Sequence, residues 1–135
     1  MYTRHMLILT LRTDSPEAEI GLYDGIEQVS YETWHAHRQL AETLHLKIKQ
    51  VLEQSQKQLN GLEGIVIFQG PGSFTGLRIG VSIANALAYG QNITVVGAGA
   101  EQRISQGIQR LISGQNDLPV LPEYGALPHI TAQKK

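Results

Sequence analysis

The residues best suited to chemistry lie in one short stretch, GPGSFTGLRIG, between an apolar run and a long helical pattern. A glycine turn that opens a helix presents free backbone N–H groups, and the helix dipole favours negative charge at the same point. Gly70, Gly72, Ser73 and Thr75 therefore form a candidate phosphate site. The two hydroxyl residues are also candidates for capping the helix.

Two phosphate-binding signatures are incomplete in this stretch. A Walker-type loop carries a lysine after its last glycine, where this chain has Leu77. A dinucleotide fingerprint needs a different glycine spacing and an acidic residue on a following strand. The turn thus keeps two alternative interpretations: a phosphate cradle, or a turn that lets another protein segment approach closely.

The remaining polar candidates do not predict a catalytic site. Asp14 and Asp24 lie in turn sequences, where aspartate commonly bonds to its own backbone. His35 and His37 stand two residues apart without an evident third ligand, which is too few for a zinc site. The chain has no cysteine, so disulfides and thiolate metal sites are excluded. We expect no catalytic residue, no metal and no cofactor.

Hydrophobic periodicity predicts the elements that position the turn. Apolar or alternating runs predict strands at residues 6–12, 17–24, 26–34, 64–68 and 93–97. Helical spacing predicts helices at residues 37–57, 75–89 and 100–112, with the Asn-Gly pair at 60–61 ending the first. The order β-β-β-α-β-α-β-α indicates an α/β fold with a mixed five-stranded sheet, the ribonuclease-H-like lobe of the actin-like ATPases.

Two regions are expected along the chain. Residues 1–115 form the lobe, and the proline-rich residues 116–135 form an extended C-terminal arm, since proline interrupts helices and central strands. Tyr124 and His129 in the arm are either anchors for a partner or part of a disordered terminus.

The second predicted helix carries an unusual set of small residues. Gly76, Gly80, Ala84 and Ala88 recur every fourth residue and leave one face almost without side chains. Such a face lets another helix come close, as in membrane helix pairs. That helix is either the chain's own residues 37–57 or part of a partner protein. If it belongs to a partner, Gly80→Leu is expected to abolish pairing while the domain still folds.

Charge and hydropathy restrict the location and the partners. The net charge is -1, without a basic block that would hold nucleic acid directly. The apolar run near the N-terminus is too short for a signal sequence or a membrane span. We therefore predict a cytoplasmic protein without membrane contact, which does not hold nucleic acid by its own charge.

Residues 70–97, GPGSFTGLRIGVSIANALAYGQNITVVG, resemble the TsaB (YeaZ) family, and the element order agrees over residues 6–112. These bacterial subunits pair with TsaD to make threonylcarbamoyladenosine in tRNA. The resemblance implies an actin-like ATPase fold without ATPase activity, which dimerises with a TsaD-like protein through its first two helices. It also implies a TsaE-like ATPase as a further partner. An exposed apolar patch predicts a homodimer when the chain is alone.

The resemblance assigns the site residues as follows. The expected partner-binding residues are Leu44, Ile48, Gly76, Gly80, Ile83, Ala84, Leu87 and Ala88. The turn residues 70, 72, 73 and 75 are expected to aim the second helix, or to retain residual phosphate binding.

Two departures from the family pattern bear on the function. Arg12 stands where the family's first strand has an aspartate, and an arginine cannot bind a metal cation. Family members typically have a second lobe of comparable size, so this chain is expected to be a minimal form. The alternative function is a small nucleotide-binding ATPase of the actin-like class that uses the glycine turn for phosphate.

Overall fold

The computed structural model describes residues 5–72, 74–99 and 103–123. The strands are β1 (Leu7–Arg12), β2 (Glu17–Asp24), β3 (Glu27–His35), β4 (Gly64–Phe68) and β5 (Thr94–Ala98). The helices are α1 (Leu40–Gln54), α2 (Phe74–Gln91) and α3 (Arg103–Ile112), and short 3-10 turns cover His37–Gln39 and Leu59–Gly61. The predicted order of strands and helices is confirmed.

The five strands form one mixed sheet in the order β3-β2-β1-β4-β5. β1, β2 and β3 pair antiparallel as a meander, whereas β4 and β5 run parallel to β1. The carboxyl ends of β1 and β4 therefore lie side by side, and the glycine turn after β4 meets the residues that follow β1. This arrangement confirms the predicted ribonuclease-H-like lobe.

Side chains alternate between the two faces of the sheet and build two apolar layers. Leu9, Ile65 and Ile67 belong to the larger core cluster, which includes the buried residues of α1 and α2. Ile8 and Val66 belong to the smaller cluster, beneath the apolar stripe of α3. All five residues of β4 are buried, as expected for a parallel strand covered by helices on both faces.

The end of α1 differs from the sequence prediction. The helix ends at Gln54, and Gln56 has a φ of 59°, the left-handed conformation that often terminates helices. The Lys57 N–H then donates to the Leu52 carbonyl oxygen at 2.8 Å. The Asn-Gly pair lies further on, in the 3-10 turn at Leu59–Gly61. The stop was placed too late because glutamine, not glycine, occupies the left-handed position.

The predicted arm falls partly within the described residues. Residues 116–123 form neither helix nor strand and lie against β5. The Asp117 N–H donates to the carbonyl oxygen of Val95 in β5 at 2.7 Å. Residues 124–135, including the candidate anchors Tyr124 and His129, lie outside the described residues.

Candidate functional site

The glycine turn is filled by protein on one side. Gly70 has a φ of +122°, a backbone conformation that other residues rarely adopt. A Cβ atom at this position would overlap the carbonyl oxygen of Glu123. The Glu123 N–H in turn donates to the Gln69 carbonyl oxygen at 2.6 Å. Glycine is required here because residues 121–123 pack directly on the turn.

The other side of the turn faces a carboxylate. A Cβ atom on Gly72 would lie 2.6 Å from Cβ of Asp14 and 3.0 Å from its Oδ2. The side chain of Asp14 therefore occupies the space beside Gly72 that a bound phosphate would need. Both described glycines thus accommodate close protein segments, which favours the second of the two interpretations of the turn. Thr75 is exposed at the start of α2, and Ser73 lies outside the described residues.

Arg12 supplies the charge that balances Asp14. Its Nε donates to Asp14 Oδ1 at 2.7 Å, and its guanidinium lies 4.2 Å from the ring centroid of Phe68. The hydrogen bond to Asp14 raises the pKa of Arg12 above its ordinary value, although burial opposes this effect. A permanent cation therefore occupies the end of β1. Among the described residues, no group of three or more histidines, aspartates or glutamates is placed to hold a metal.

The other acid and histidine candidates do not come together. Asp24 lies at the end of the sheet opposite Asp14, with a carboxylate oxygen 3.2 Å from His5 Nδ1. His35 Nδ1 lies 3.9 Å from a Glu17 oxygen. The side chain of His37 is not among those described. These contacts are local pairs with no shared centre, so they form no catalytic constellation.

The small-residue face of α2 lies against the sheet. Gly80, Ala84 and Ala88 are buried, and a Cβ atom on Gly80 would overlap Thr13 Oγ1. That hydroxyl donates to the Gly76 carbonyl oxygen at 2.8 Å. The expectation that this face is open to another helix is wrong, because the chain's own sheet covers it. Small residues let a helix approach a sheet as closely as they let it approach a helix.

The exposed face of α2 borders an apolar groove. The cavity between α1 and α2 has a volume of about 730 Å³. Its apolar lining residues are Ile48, Leu52, Leu59, Ile83, Ala86 and Leu87. Its polar lining residues are His45, Lys49, Glu53, Lys57, Gln58 and Ser82. We call this surface the α1–α2 groove.

Three of the eight predicted partner-binding residues line the groove and five do not. Ile48, Ile83 and Leu87 lie there. The other five are Leu44, Gly76, Gly80, Ala84 and Ala88, which do not line it; all but Gly76 are buried in the lobe.

Sequence reasoning missed a second set of small residues. Ser82, Ala86 and Gly90 are exposed and also recur every fourth residue. Each of them stands two residues after a member of the buried set, Gly80, Ala84 or Ala88. A step of two residues corresponds to about 200° around the helix axis, so the second set lies on the opposite face. The same periodicity therefore marks both faces of α2, and only the sheet contacts distinguish the buried set from the exposed one.

Comparisons with known proteins agree with this architecture. The family model described as "TsaD: tRNA N6-adenosine threonylcarbamoyltransferase" matches residues 34–100, which run from the end of β3 beyond β5. The TsaB protein of Escherichia coli is 29% identical over 106 residues, covering 78% of this chain and 45% of that protein. The solved YeaZ structure from Pseudomonas aeruginosa superposes with a TM-score of 0.67 at 21% identity, covering 80% of this chain and 50% of that one. The chain is similar to the TsaB/YeaZ family in sequence and in fold.

The chain is also similar to proteins named as transferases. The tRNA N6-adenosine threonylcarbamoyltransferase of Geotalea daltonii is 42% identical over 62 residues, covering 46% of this chain and 18% of that protein. The chain spans half the length or less of these TsaB/YeaZ and transferase relatives. None of the helices in the described ranges has the length and apolar character needed to span a membrane.

Proposed function

We propose that this chain is a non-catalytic docking subunit in the synthesis of threonylcarbamoyladenosine in tRNA. In this proposal it binds a TsaD-like transferase through the α1–α2 groove. Similarity to proteins of the TsaB/YeaZ family supports the involvement in this tRNA modification. The observation that carries the docking role is the open apolar groove between the two helices.

The apolar surface of the groove supports binding of a protein partner. Ile83 and Leu87 are only half-buried on α2, and Leu46 of α1 and Tyr89 of α2 are 66% and 80% exposed. Burying apolar area yields roughly 25 cal/mol per Å², and a standard interface buries about 800 Å² on each partner.

The shape of the groove supports a helical partner. Ser82 and Ala86 present only small side chains along the exposed ridge of α2. A partner helix can approach this ridge at the short end of the usual interaxial range, about 8 Å. Ile48 and Leu52 of α1 then form one wall of the groove, against which the partner's apolar side chains pack.

The charges at the rim favour an acidic partner surface. Lys49 and Lys57 line the groove together with a single carboxylate, that of Glu53. Complementary charge around an apolar contact raises association rates and selects partners more than it raises affinity. We expect acidic side chains on the partner helix beside its apolar residues.

The contacts around the glycine turn support the non-catalytic part of the proposal. An actin-like ATPase would place phosphate at this turn, where the Asp14 carboxylate and the Glu123 carbonyl oxygen now lie. Arg12 occupies the strand position of the family's aspartate and is paired with Asp14. The ATPase alternative would require all three groups to move.

The remaining partners belong to the same proposal. A TsaE-like ATPase joins the complex, and tRNA contacts this chain only through the complex, because the net charge of -1 gives little attraction to phosphate. In the absence of the TsaD-like protein, the apolar groove drives a weak homodimer. Action on tRNA implies a cytoplasmic location.

Light scattering tests the proposed complex. The purified 14.9 kDa chain is measured alone and mixed with the TsaD-like protein of the same cell. We expect a 1:1 heterodimer that replaces a weak homodimer. If the two proteins remain separate at micromolar concentration, the docking function is excluded for this chain.

A further inference from the structure

We propose that residues 115–123, here called the strap, act as a detachable clamp that fixes the position of α2 on the sheet. The strap contacts α2, the turn before α2, the edge strand β5, and α3. It thereby joins elements that are distant in sequence.

The hold on α2 comes from one asparagine. Asn85 Nδ2 donates to the Val120 carbonyl oxygen at 2.9 Å, and the Val120 N–H donates to Asn85 Oδ1 at 2.8 Å. The Val120 side chain is only 2% exposed and packs in the larger core cluster. Asn85 therefore binds the backbone of the one strap residue that is anchored in the core.

The hold on the glycine turn comes from Gln69. Its Nε2 donates to the Leu121 carbonyl oxygen at 2.9 Å, and its own carbonyl oxygen accepts the Glu123 N–H. The Glu123 carbonyl oxygen packs on Gly70, four residues before α2 begins. The strap thus contacts α2 at its middle, through Asn85, and at the turn that precedes it.

The hold on β5 and α3 is polar. Asp117 Oδ2 accepts the Gly97 N–H at 3.0 Å, and Asp117 Oδ1 accepts from Arg110 Nη2 at 2.6 Å. Burial alone would raise the pKa of Asp117, but the hydrogen bonds from Arg110 and Gly97 outweigh it and hold the pKa below its ordinary value. The carboxylate is ionised at neutral pH and the pair is intact.

Two features make the strap detachable without unfolding of the core. Val120 is its anchor in the core, whereas Leu118 and Leu121 are 36% and 69% exposed. Apart from the packing of Glu123 on Gly70, its other described contacts are hydrogen bonds and one ion pair whose side chains are 35% and 32% exposed, which water can replace. Segments with few buried apolar contacts open locally at a cost well below that of global unfolding.

Detachment of the strap affects the groove through α2. Asn85 is adjacent to Ala86, and α2 presents Ser82 and Ala86 to the groove while Asn85 holds the strap. When the strap detaches, the middle of α2 and the turn before it are no longer fixed, so the helix can shift. The shift changes the shape of the groove although no groove residue is substituted. This consequence rests on the proposed docking function, whereas the clamp itself can be measured on the chain alone.

Native-state hydrogen exchange of the full chain tests the clamp through Asn85→Ala. The N–H groups of Val120, Glu123 and Gly97 each donate to a different acceptor, but a clamp opens as one unit. We expect all three to exchange at least tenfold faster in the variant, together with the first hydrogen-bonded N–H groups of α2. Gln50→Ala, an exposed amide removed from α1, is the control and should change none of them.

Two outcomes overturn the clamp. In the first, Asn85→Ala accelerates exchange at Val120 alone and leaves Glu123 and Gly97 unchanged, so the contacts are independent. The second comes from Arg110→Gln, which loosens the strap from α3 without touching α2. If the strap amides then exchange faster but the start of α2 does not, the strap does not fix the helix. Unchanged exchange in β4 shows that neither variant has unfolded.

Discussion

Ala86→Arg is expected to leave the domain folded and to weaken binding of the TsaD-like partner about 100-fold, or close to 3 kcal/mol. Ala86 is exposed on α2 and lines the groove, so the larger side chain extends into the groove and not into the core. In the complex, the introduced arginine side chain would keep the partner helix away from the ridge of α2. It would also place a positive charge within an apolar contact, which weakens binding. Titration calorimetry of the two purified proteins measures the loss.

The matched control for this substitution is Gln50→Arg. Gln50 is also exposed, on α1, and does not line the groove. The two variants add the same side chain, so any general effect of charge or solubility appears in both. Binding by Ala86→Arg at wild-type affinity would show that the partner does not use the groove.

Gly80→Leu is expected to destabilise the domain itself, by about 3 kcal/mol or more, near the upper end for overpacked cores. A Cβ atom alone would overlap Thr13 Oγ1 and would lie 3.0 Å from both Cβ and Cγ2 of Thr13. Thr13 cannot move away without losing its hydrogen bond to the Gly76 carbonyl oxygen. Thermal or urea unfolding monitored by circular dichroism measures the change.

Gly90→Ala is the control for the glycine effect in the same helix. A Cβ atom on Gly90 meets nothing within 4 Å, so alanine should stabilise α2 by roughly 0.5–1 kcal/mol through the lower entropy of the unfolded chain. The sequence alone predicted that Gly80→Leu would abolish pairing in a folded domain. A Gly80→Leu variant with wild-type stability would restore that prediction and contradict the packing described here.

The order of elements could be predicted because local patterns determine it. The continuous apolar run of β4 and the turn signals around it lie within a few residues of one another. The apolar spacing of α1 likewise follows from neighbouring residues, whereas its end depends on Gln56 adopting a left-handed conformation. Glutamine carries no sequence signal for that conformation.

The orientation of α2 could not be predicted because it depends on contacts distant in sequence. Thr13 packs on Gly80, and Asp14 packs on Gly72, across more than fifty residues in each case. The helix is apolar nearly all round and carries small residues on both faces, so its pattern fits either orientation. Most of the residues predicted to bind a partner therefore lie on the buried face of these helices.

The same reasoning explains why the strap was missed. Its proline content correctly excludes a helix or a central strand, but its attachment depends on the amides of Asn85 and Gln69 meeting a distant backbone. Side-chain amides that bind the backbone impose no sequence pattern on the segment they hold. The structure was required to reveal this contact.

Lysine acetylation of the complex tests whether the TsaD-like partner covers the α1–α2 groove. Lys49 and Lys57 line the groove, whereas Lys47 on the same helix contacts Glu32 at 3.0 Å and faces Trp34. With the TsaD-like protein bound, we expect Lys49 and Lys57 to be acetylated at least fivefold more slowly and Lys47 at an unchanged rate. Unchanged acetylation of Lys49 and Lys57 in a complex that demonstrably forms would contradict the account, because the partner would then lie elsewhere.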